Sequence, residues 1–528
     1  MASPFTPQIG LALAVFAFCL VVRHALAKKN RLPLPPGPKG LPVVGNIKDM
    51  PKPADREWLH WIKHKDAYGP ISSLHVLGQT FIIVNDADIS MKLLKDRASI
   101  YSGRPRQIFG GDMVGWTNML AFLQPGWDFR QHRRNLAKIG GSNTSLAAFD
   151  RIQNEEAAHF LLNVLDSPEN IFDHIRTEAG AVILRITYGY TPNARGRDPL
   201  VDMAEQAMSD FSIASVPGKW TVDLLPFLRY LPDWCPGTGF KATAREMRKT
   251  FMRSAEQPYA WVKEQMRNKK AKTSFMSQAI ESLGTEASME HVHKWSSVSM
   301  YLGGSDTSVS AIMTFFMAMA VFPDIQKKAQ EELDHVIGGD RLPVTSDKAN
   351  LPYIETVVKE AHRWHPVVPM GVPHCCMEED SISGYRIPKG AIVIPNIWWF
   401  THDPAVYPDP MAFNPDRYFT TPTHTAEPDP RNWTFGYGRR VCPGRYIADN
   451  ALFTTIAQSL AVFNIEKLVE NGKTVEPRIE FEPGVVSHPV PYRLSIKPKN
   501  EKCRQLIKQA ENLYPWGESD AQSLESLN

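Results

Sequence analysis

The sequence predicts a mainly α protein with small β-sheets, an α+β architecture, standing behind an N-terminal membrane anchor. Three observations predict it. Apolar stretches with helical spacing, above all Met289 to Val321 and Ile447 to Val462, are too long for strands. Strand signals are short, and the clearest, Tyr385 to Ile394, alternates and turns at Pro388-Lys-Gly390 as a hairpin does. Residues Ile9 to Val22 carry no charge, and counted from Phe5 the apolar stretch reaches about the lower limit for crossing a bilayer.

The anchor, residues 1–27, is oriented by charge. No Lys or Arg precedes the apolar run, whereas Arg23, Lys28, Lys29 and Arg31 follow it. That bias keeps the downstream chain in the cytosol. A cleaved signal peptide ending at Ala25-Leu-Ala27 is the competing reading, but the basic cluster stands on the wrong side for one. Residues 28–46 form a basic, proline-rich hinge that includes Leu32-Pro-Leu-Pro-Pro-Gly-Pro38, and proline stiffens such a link.

Residues 47–499 are expected to form one domain. The chain has 528 residues, of which 43% are hydrophobic, enough for a large core with no internal repeat or flexible linker to divide it. Net charge is +3, too small to suggest nucleic-acid binding. The six cysteines are scattered and show no Cys-x-x-Cys spacing, so they are no disulfide framework.

Within the domain, Gly303-Gly-Ser-Asp-Thr-Ser308 interrupts the long apolar helix. Two glycines weaken it there, and the Thr307 hydroxyl can take the carbonyl four residues back. Pro352 to His365 has helical spacing, with Glu360 and Arg363 on one face. Val367-Val-Pro-Met-Gly-Val-Pro-His374 is expected to be a strand.

The most informative stretch is Phe435-Gly-Tyr-Gly-Arg-Arg-Val-Cys-Pro-Gly444. A cysteine thiolate is one of few ligands that push electron density onto haem iron. Gly436, Gly438 and Gly444 let the backbone turn tightly beside a flat macrocycle. Arg440 is placed to neutralise a haem carboxylate, and a helix starting after Cys442 stabilises a thiolate. In the polar tail, 500–528, Glu501 to Leu513 reads as one helix and the rest as disordered.

Phe435, Gly438, Arg440, Cys442 and Gly444 together resemble the haem-binding signature of the cytochrome P-450 family, Phe-x-x-Gly-x-Arg-x-Cys-x-Gly. The resemblance implies the cytochrome P-450 fold and haem b, with Cys442 as axial ligand of the iron. It makes Gly303–Thr307 the oxygen-activation segment, with Thr307 catalytic and Asp306 feeding it protons. It makes Glu360, Arg363 and Arg417 of Phe413-Asn-Pro-Asp-Arg-Tyr418 a buried charge triad. In Phe129-Arg-Gln-His-Arg-Arg134 it gives Arg133, and more weakly Arg130, to the haem carboxylates, although Phe129 replaces the usual tryptophan. His374 stands where an arginine is common. Val368, Met370, Val372, Ser305 and the loop from Phe109 to Phe122 are expected to line the substrate pocket.

The implied reaction is monooxygenation of a small apolar metabolite with O2. Electrons come from NADPH through NADPH–cytochrome P-450 reductase, a separate chain, because no Gly-x-Gly-x-x-Gly fingerprint is present. Arg130, Arg134, Arg439 and Arg445 are expected to form its docking face. The proline-rich hinge resembles microsomal members, implying a single-pass protein of the endoplasmic reticulum membrane. The Gly-Gly-Ser-Asp-Thr run resembles fungal secondary-metabolite members of the O-methylsterigmatocystin oxidoreductase-like type. A haem-thiolate isomerase or dehydratase needing no reductase, or a non-catalytic haem-binding protein, are the other classes. Neither requires the Asp306–Thr307 pair.

Overall fold

The computed structural model describes residues 32–52, 54–140, 143–216, 218–282 and 287–526. The expected anchor lies outside them. The longer helices are α1 (Glu57–Tyr68), α2 (Trp127–Gly140), α3 (Asn143–Asp166), α4 (Ile171–Tyr188), α5 (Pro199–Ala214), α6 (Phe240–Arg267), α7 (Ala287–Val321), α8 (Pro323–Val336), α9 (Pro352–Trp364), α10 (Arg445–Val462) and α11 (Glu501–Leu513). Helix dominates, and the strands gather into three small sheets, as the α+β expectation requires.

Helix α7 is the axis of the fold and packs on α2, α4, α5, α6, α10 and other neighbours. Its C-terminal half, from Val309 to Ala320, is buried all round and joins α3, α9, α10 and α11 in the main core. A helix apolar on every side belongs inside a large protein. The stretch from Met289 to Val321 is long and apolar enough to cross a membrane, yet most of it is covered by the protein. Its N-terminal half packs Trp295, Val298, Tyr301 and Leu302 against α5, α6 and Phe109.

Strands β1 (Ile71–Val76), β2 (Gln79–Val84), β3 (His374–Cys375) and β6 (Ile392–Pro395) form one sheet in the order β1-β2-β6-β3, with β2 and β6 parallel. Strands β4 (Asp380–Ile382) and β5 (Tyr385–Ile387) pair with each other. Strands β7 (Phe463–Glu470), β8 (Lys473–Val475) and β9 (Leu494–Pro498) form the third sheet, in the order β8-β7-β9.

Three expectations are corrected here. The hairpin does not turn at Pro388-Lys-Gly390. It turns at Ser383-Gly384, both at positive φ, and β6 leaves for the other sheet. A two-residue turn of that hand matches strand twist, and proline cannot donate to a ladder. The stretch 367–373 is not a strand, since Pro369 and Pro373 remove the amides it would need, and pairing begins only at His374. The tail beyond α11 is not disordered. Trp516 stacks on His159 at 3.9 Å between ring centres, Asp520 accepts from the Thr191 amide at 2.8 Å, and Leu524 is fully buried. Its few apolar side chains suffice because each finds a preformed niche.

The proline-rich segment is docked from its start. Arg386 donates its amide to the Pro33 carbonyl (2.7 Å), Ser73 to that of Pro36 (2.9 Å), and Gly45 bridges Val76. It lies along β1 rather than spanning free space.

Candidate active site

The Phe435–Gly444 loop is held by its own backbone. The Cys442 amide donates to the Phe435 carbonyl at 2.7 Å, Arg440 to that of Tyr437 at 2.8 Å, and Gly436 and Gly438 take φ of 77° and 48°. A Cβ on Gly438 would stand 2.9 Å from the Leu94 carbonyl. Gly444 differs, because its φ is −91° and a Cβ there would meet nothing within 4 Å. Its lack of a side chain leaves open space rather than relieving strain.

Helix α10 begins at Arg445, so half-buried Cys442 sits just ahead of a helix N-terminus. Burial pushes the thiol up, while the Gly444 amide, Arg133 and Arg445 pull it down. Each of the three favours the anionic sulfur that a metal would draw out. The Phe435 ring packs edge-on against His362, 5.0 Å between centres.

Beside this loop lie three guanidiniums with no carboxylate partner among the described residues. Arg133 on α2 donates to the Val441 carbonyl at 2.6 Å. Arg440 donates to the carbonyls of Ser102, Leu120 and Leu123 at 2.8, 3.2 and 2.6 Å, and lies 4.1 Å over the Phe129 ring. The third, Arg104, has no motif to announce it. It is 6% exposed and donates to the carbonyls of Ala121, Val372 and Pro373. Burial and mutual repulsion depress these groups, Arg440 to about 10, and burial with Arg104 nearby keeps His374 neutral. Neutral His374 bonds through Nδ1 to the Tyr101 carbonyl at 2.7 Å.

Unpaired buried cations are costly unless an anion joins them. This pocket therefore fits a ligand carrying carboxylates, and a dianionic haem with its iron toward Cys442 suits the donor set.

A second set of polar groups comes from α7. Between buried Leu302 and Val309, Gly303 is exposed and Gly304, Asp306, Thr307 and Ser308 are half-exposed, and a Cβ on Gly303 would meet open space. The Thr307 hydroxyl donates to the Gly303 carbonyl at 2.7 Å. The two halves of the site are tied together through Leu120, whose carbonyl accepts from Arg440 and whose amide donates to the Ser299 hydroxyl of α7 at 3.1 Å.

Glu360, Arg363 and Arg417 are all buried. Arg363 grips Glu360 with two bonds of 2.8 Å, and Arg417 adds one of 3.1 Å. Asn414 and Tyr418 also donate to the carboxylate, and Glu427 takes Arg417 at 2.6 Å, so both guanidiniums have a carboxylate.

Not every expected residue gathers here. Arg130 is exposed on the outer face of α2, and Met370 is packed against Trp58, Trp61, Phe81 and Ile394 in the sheet core. Ser305 is buried, with its hydroxyl 3.4 Å from the Leu302 carbonyl, while Val368 and Val372 are half-exposed. Phe109 stacks on Trp220 at 3.6 Å.

Comparisons with known proteins match this construction. The Cytochrome P450 family matches residues 35–496. The chain is 45% identical to Cytochrome P450 monooxygenase claR of Ampulloclitocybe clavipes, over 94% of this chain and 92% of that one. It is 42% identical to Cytochrome P450 monooxygenase ppsD of Aspergillus oryzae (98% and 99%). It is 38% identical to O-methylsterigmatocystin oxidoreductase of Aspergillus flavus, over 96% of each. A cysteine loop under unpaired cations, an opened central helix and near-full-length likeness to fungal monooxygenases place the chain in the cytochrome P450 family, as a cytochrome P450 monooxygenase.

Proposed function

We propose that the protein is a haem-thiolate monooxygenase that oxidises a small apolar metabolite in fungal secondary metabolism. One observation carries the proposal: the Cys442 loop stands beside Arg104, Arg133 and Arg440, three guanidiniums left without a carboxylate. Cys442 would hold the iron of haem b, and the three arginines would hold its carboxylates, with His374 lending a neutral wall. The bound haem supplies O2 binding and O–O cleavage, which a thiolate ligand favours.

The chain's own groups do the rest. The Gly444 amide, Arg133 and Arg445 favour the anionic sulfur, against the burial that raises the thiol. Gly303, without a side chain, leaves room above the pocket. The Thr307 hydroxyl, parked on the Gly303 carbonyl, orients a proton at the open segment of α7, and Asp306 supplies it. Ser305, Val368, Val372 and the 109–122 loop shape the apolar side.

Electrons would come from NADPH through a separate NADPH–cytochrome P-450 reductase. Arg134, Arg439 and Arg445, near the cysteine loop, form no ion pair among the described residues and offer it a basic face, which Arg130 widens.

The surface also suits a membrane of the endoplasmic reticulum, with the domain in the cytosol. Val43 is 94% exposed and Trp234 82% exposed, and Leu41, Ile47, Phe227 and Tyr230 are exposed with them. Met50, just after the first of these segments, lies close to Gly218, ahead of the second. Exposed aromatic and apolar clusters of this kind favour an interface.

Carbon monoxide bound to the reduced, haem-loaded protein tests the central claim. A red-shifted Soret band supports thiolate ligation, and an unshifted band overturns it. NADPH consumption that depends on added reductase separates a monooxygenase from an isomerase.

A further inference from the structure

Asp306 has a partner outside every motif. Its Oδ1 lies 3.1 Å from Nε2 of His488. His488 belongs to the segment between β8 and β9, which folds back on itself: Glu482 donates its amide to the His488 carbonyl (2.8 Å) and Val490 to that of Glu480 (2.9 Å). The preceding residue, Ser487, is tied on several sides. Its amide reaches the Val367 carbonyl at 2.9 Å, its hydroxyl meets His365 Nε2 at 2.8 Å, and its carbonyl takes the Ser310 hydroxyl at 2.6 Å. Asp306 and Ser310 are one turn apart on one face of α7. Two consecutive residues, Ser487 and His488, thus engage that face, and the main chain that carries the imidazole is tethered on both sides of the segment.

The Asp306 carboxylate is turned to His488, and no hydrogen bond joins it to Thr307 among the described residues. The Thr307 hydroxyl is committed to Gly303. Both members of the pair keep some exposure, 23% for the His488 side chain and 17% for Asp306, so the imidazole can exchange with water.

We propose that His488 is a positioning residue of the proton-delivery limb: it fixes the Asp306 carboxylate and passes to it protons taken from water. This rests on the monooxygenase reading above. The step balances simply. A hydronium from solvent gives a proton to Nδ1 and leaves as water, the Nε2–H proton passes to Oδ1 of Asp306, and the ring is left neutral with hydrogen on Nδ1. Exchange with water at its open edge then resets the tautomer.

The test uses the full haem-loaded chain, with reductase and NADPH and no added substrate, so that oxygen itself is the acceptor. His488→Ala, His488→Gln, Asp306→Asn and the double variant His488→Gln/Asp306→Asn are compared with the parent. Each single variant is expected to slow NADPH oxidation about tenfold or more and to enlarge the solvent deuterium isotope effect. The double variant is expected to be no slower than either single one. Thermal melting of the same set gives a readout apart from turnover, with non-additive shifts expected for residues in contact. Parent-like rate and isotope effect in His488→Gln, or additive effects in the double variant, overturn the proposal. A parent protein without the thiolate band sinks the haem-thiolate reading instead, so the two failures are distinguishable.

Discussion

Glu360 Oε1 accepts from Arg363 at 2.8 Å and from Arg417 at 3.1 Å, so one carboxylate oxygen ties α9 to the segment that leads into the cysteine loop. Arg363 also caps the carbonyls of Thr401, Pro410 and Ala412. The contact joins three stretches of chain at a point closed off from the surface.

Removing that carboxylate leaves buried Arg363 without a counter-charge, while Arg417 keeps Glu427. Glu360→Ala is expected to cost about 3–5 kcal/mol. Arg363→Lys should also be severe, because an ammonium cannot reproduce the two-pronged grip or reach three carbonyls at once. Thermal melting and the yield of haem-loaded protein check both.

Cys442→Ser keeps the loop's backbone bond to Phe435 and its glycine turns. It should leave the melting temperature of the haem-free protein within a few degrees of the parent, while abolishing the red-shifted carbon monoxide band. Unfolding of the serine variant would show that the thiol is a packing element.

Gly438 and Gly444 should respond oppositely. At φ 48°, and with a backbone carbonyl 2.9 Å from the new atom, Gly438→Ala is expected to cost about 2 kcal/mol or more. Gly444→Ala, with ordinary φ and open space, should leave haem-free stability unchanged. Denaturant melts of the two haem-free variants decide it.

Glu178 carries a pH dependence. It is buried on α4, accepts from the Thr455 hydroxyl at 2.6 Å, and is raised by burial from 4.5 to about 7. Such an acid binds more protons folded than unfolded. Its contribution is therefore full below pH 4.5 and is lost as pH rises through 7. At about 1.4 kcal/mol per pH unit, the loss over this shift is of the order of 3–4 kcal/mol. Glu178→Gln should flatten the fall in melting temperature between pH 5 and pH 8, about where this group titrates.

Arg104→Leu should weaken haem retention, because it removes one of three unpaired cations, while lifting the repulsion on Arg440. Competition with apomyoglobin for haem measures the first effect. Retention equal to the parent would show that Arg104 serves only the Val372 and Pro373 carbonyls.

What the sequence disclosed was local. Cys442 with its glycines, Glu360 with Arg363, and Thr307 with Gly303 each lie within one turn or loop, so spacing alone sets their relation. What it hid was set by packing between distant segments. Arg104 sits between a glycine and a proline with nothing to separate it from a solvated loop residue, and His488 meets Asp306 only because two tethered segments cross. Arg130 failed for a different reason. A basic stretch on a helix does not reveal the helix's rotation, and Arg133, not Arg130, faces inward. Met370 failed because an apolar residue near a pocket serves the sheet core equally well.

The docked tail has a consequence for biogenesis. Trp516, Asp520 and Ser523 complete contacts with His159, Thr191 and Trp261, residues that leave the ribosome far earlier. Translation at about 5–20 residues per second leaves those partners waiting for tens of seconds. Until the strap arrives, the flank of α3 and α4 has a vacant seat, and chaperones and proteases have that interval in which to judge the nascent polypeptide.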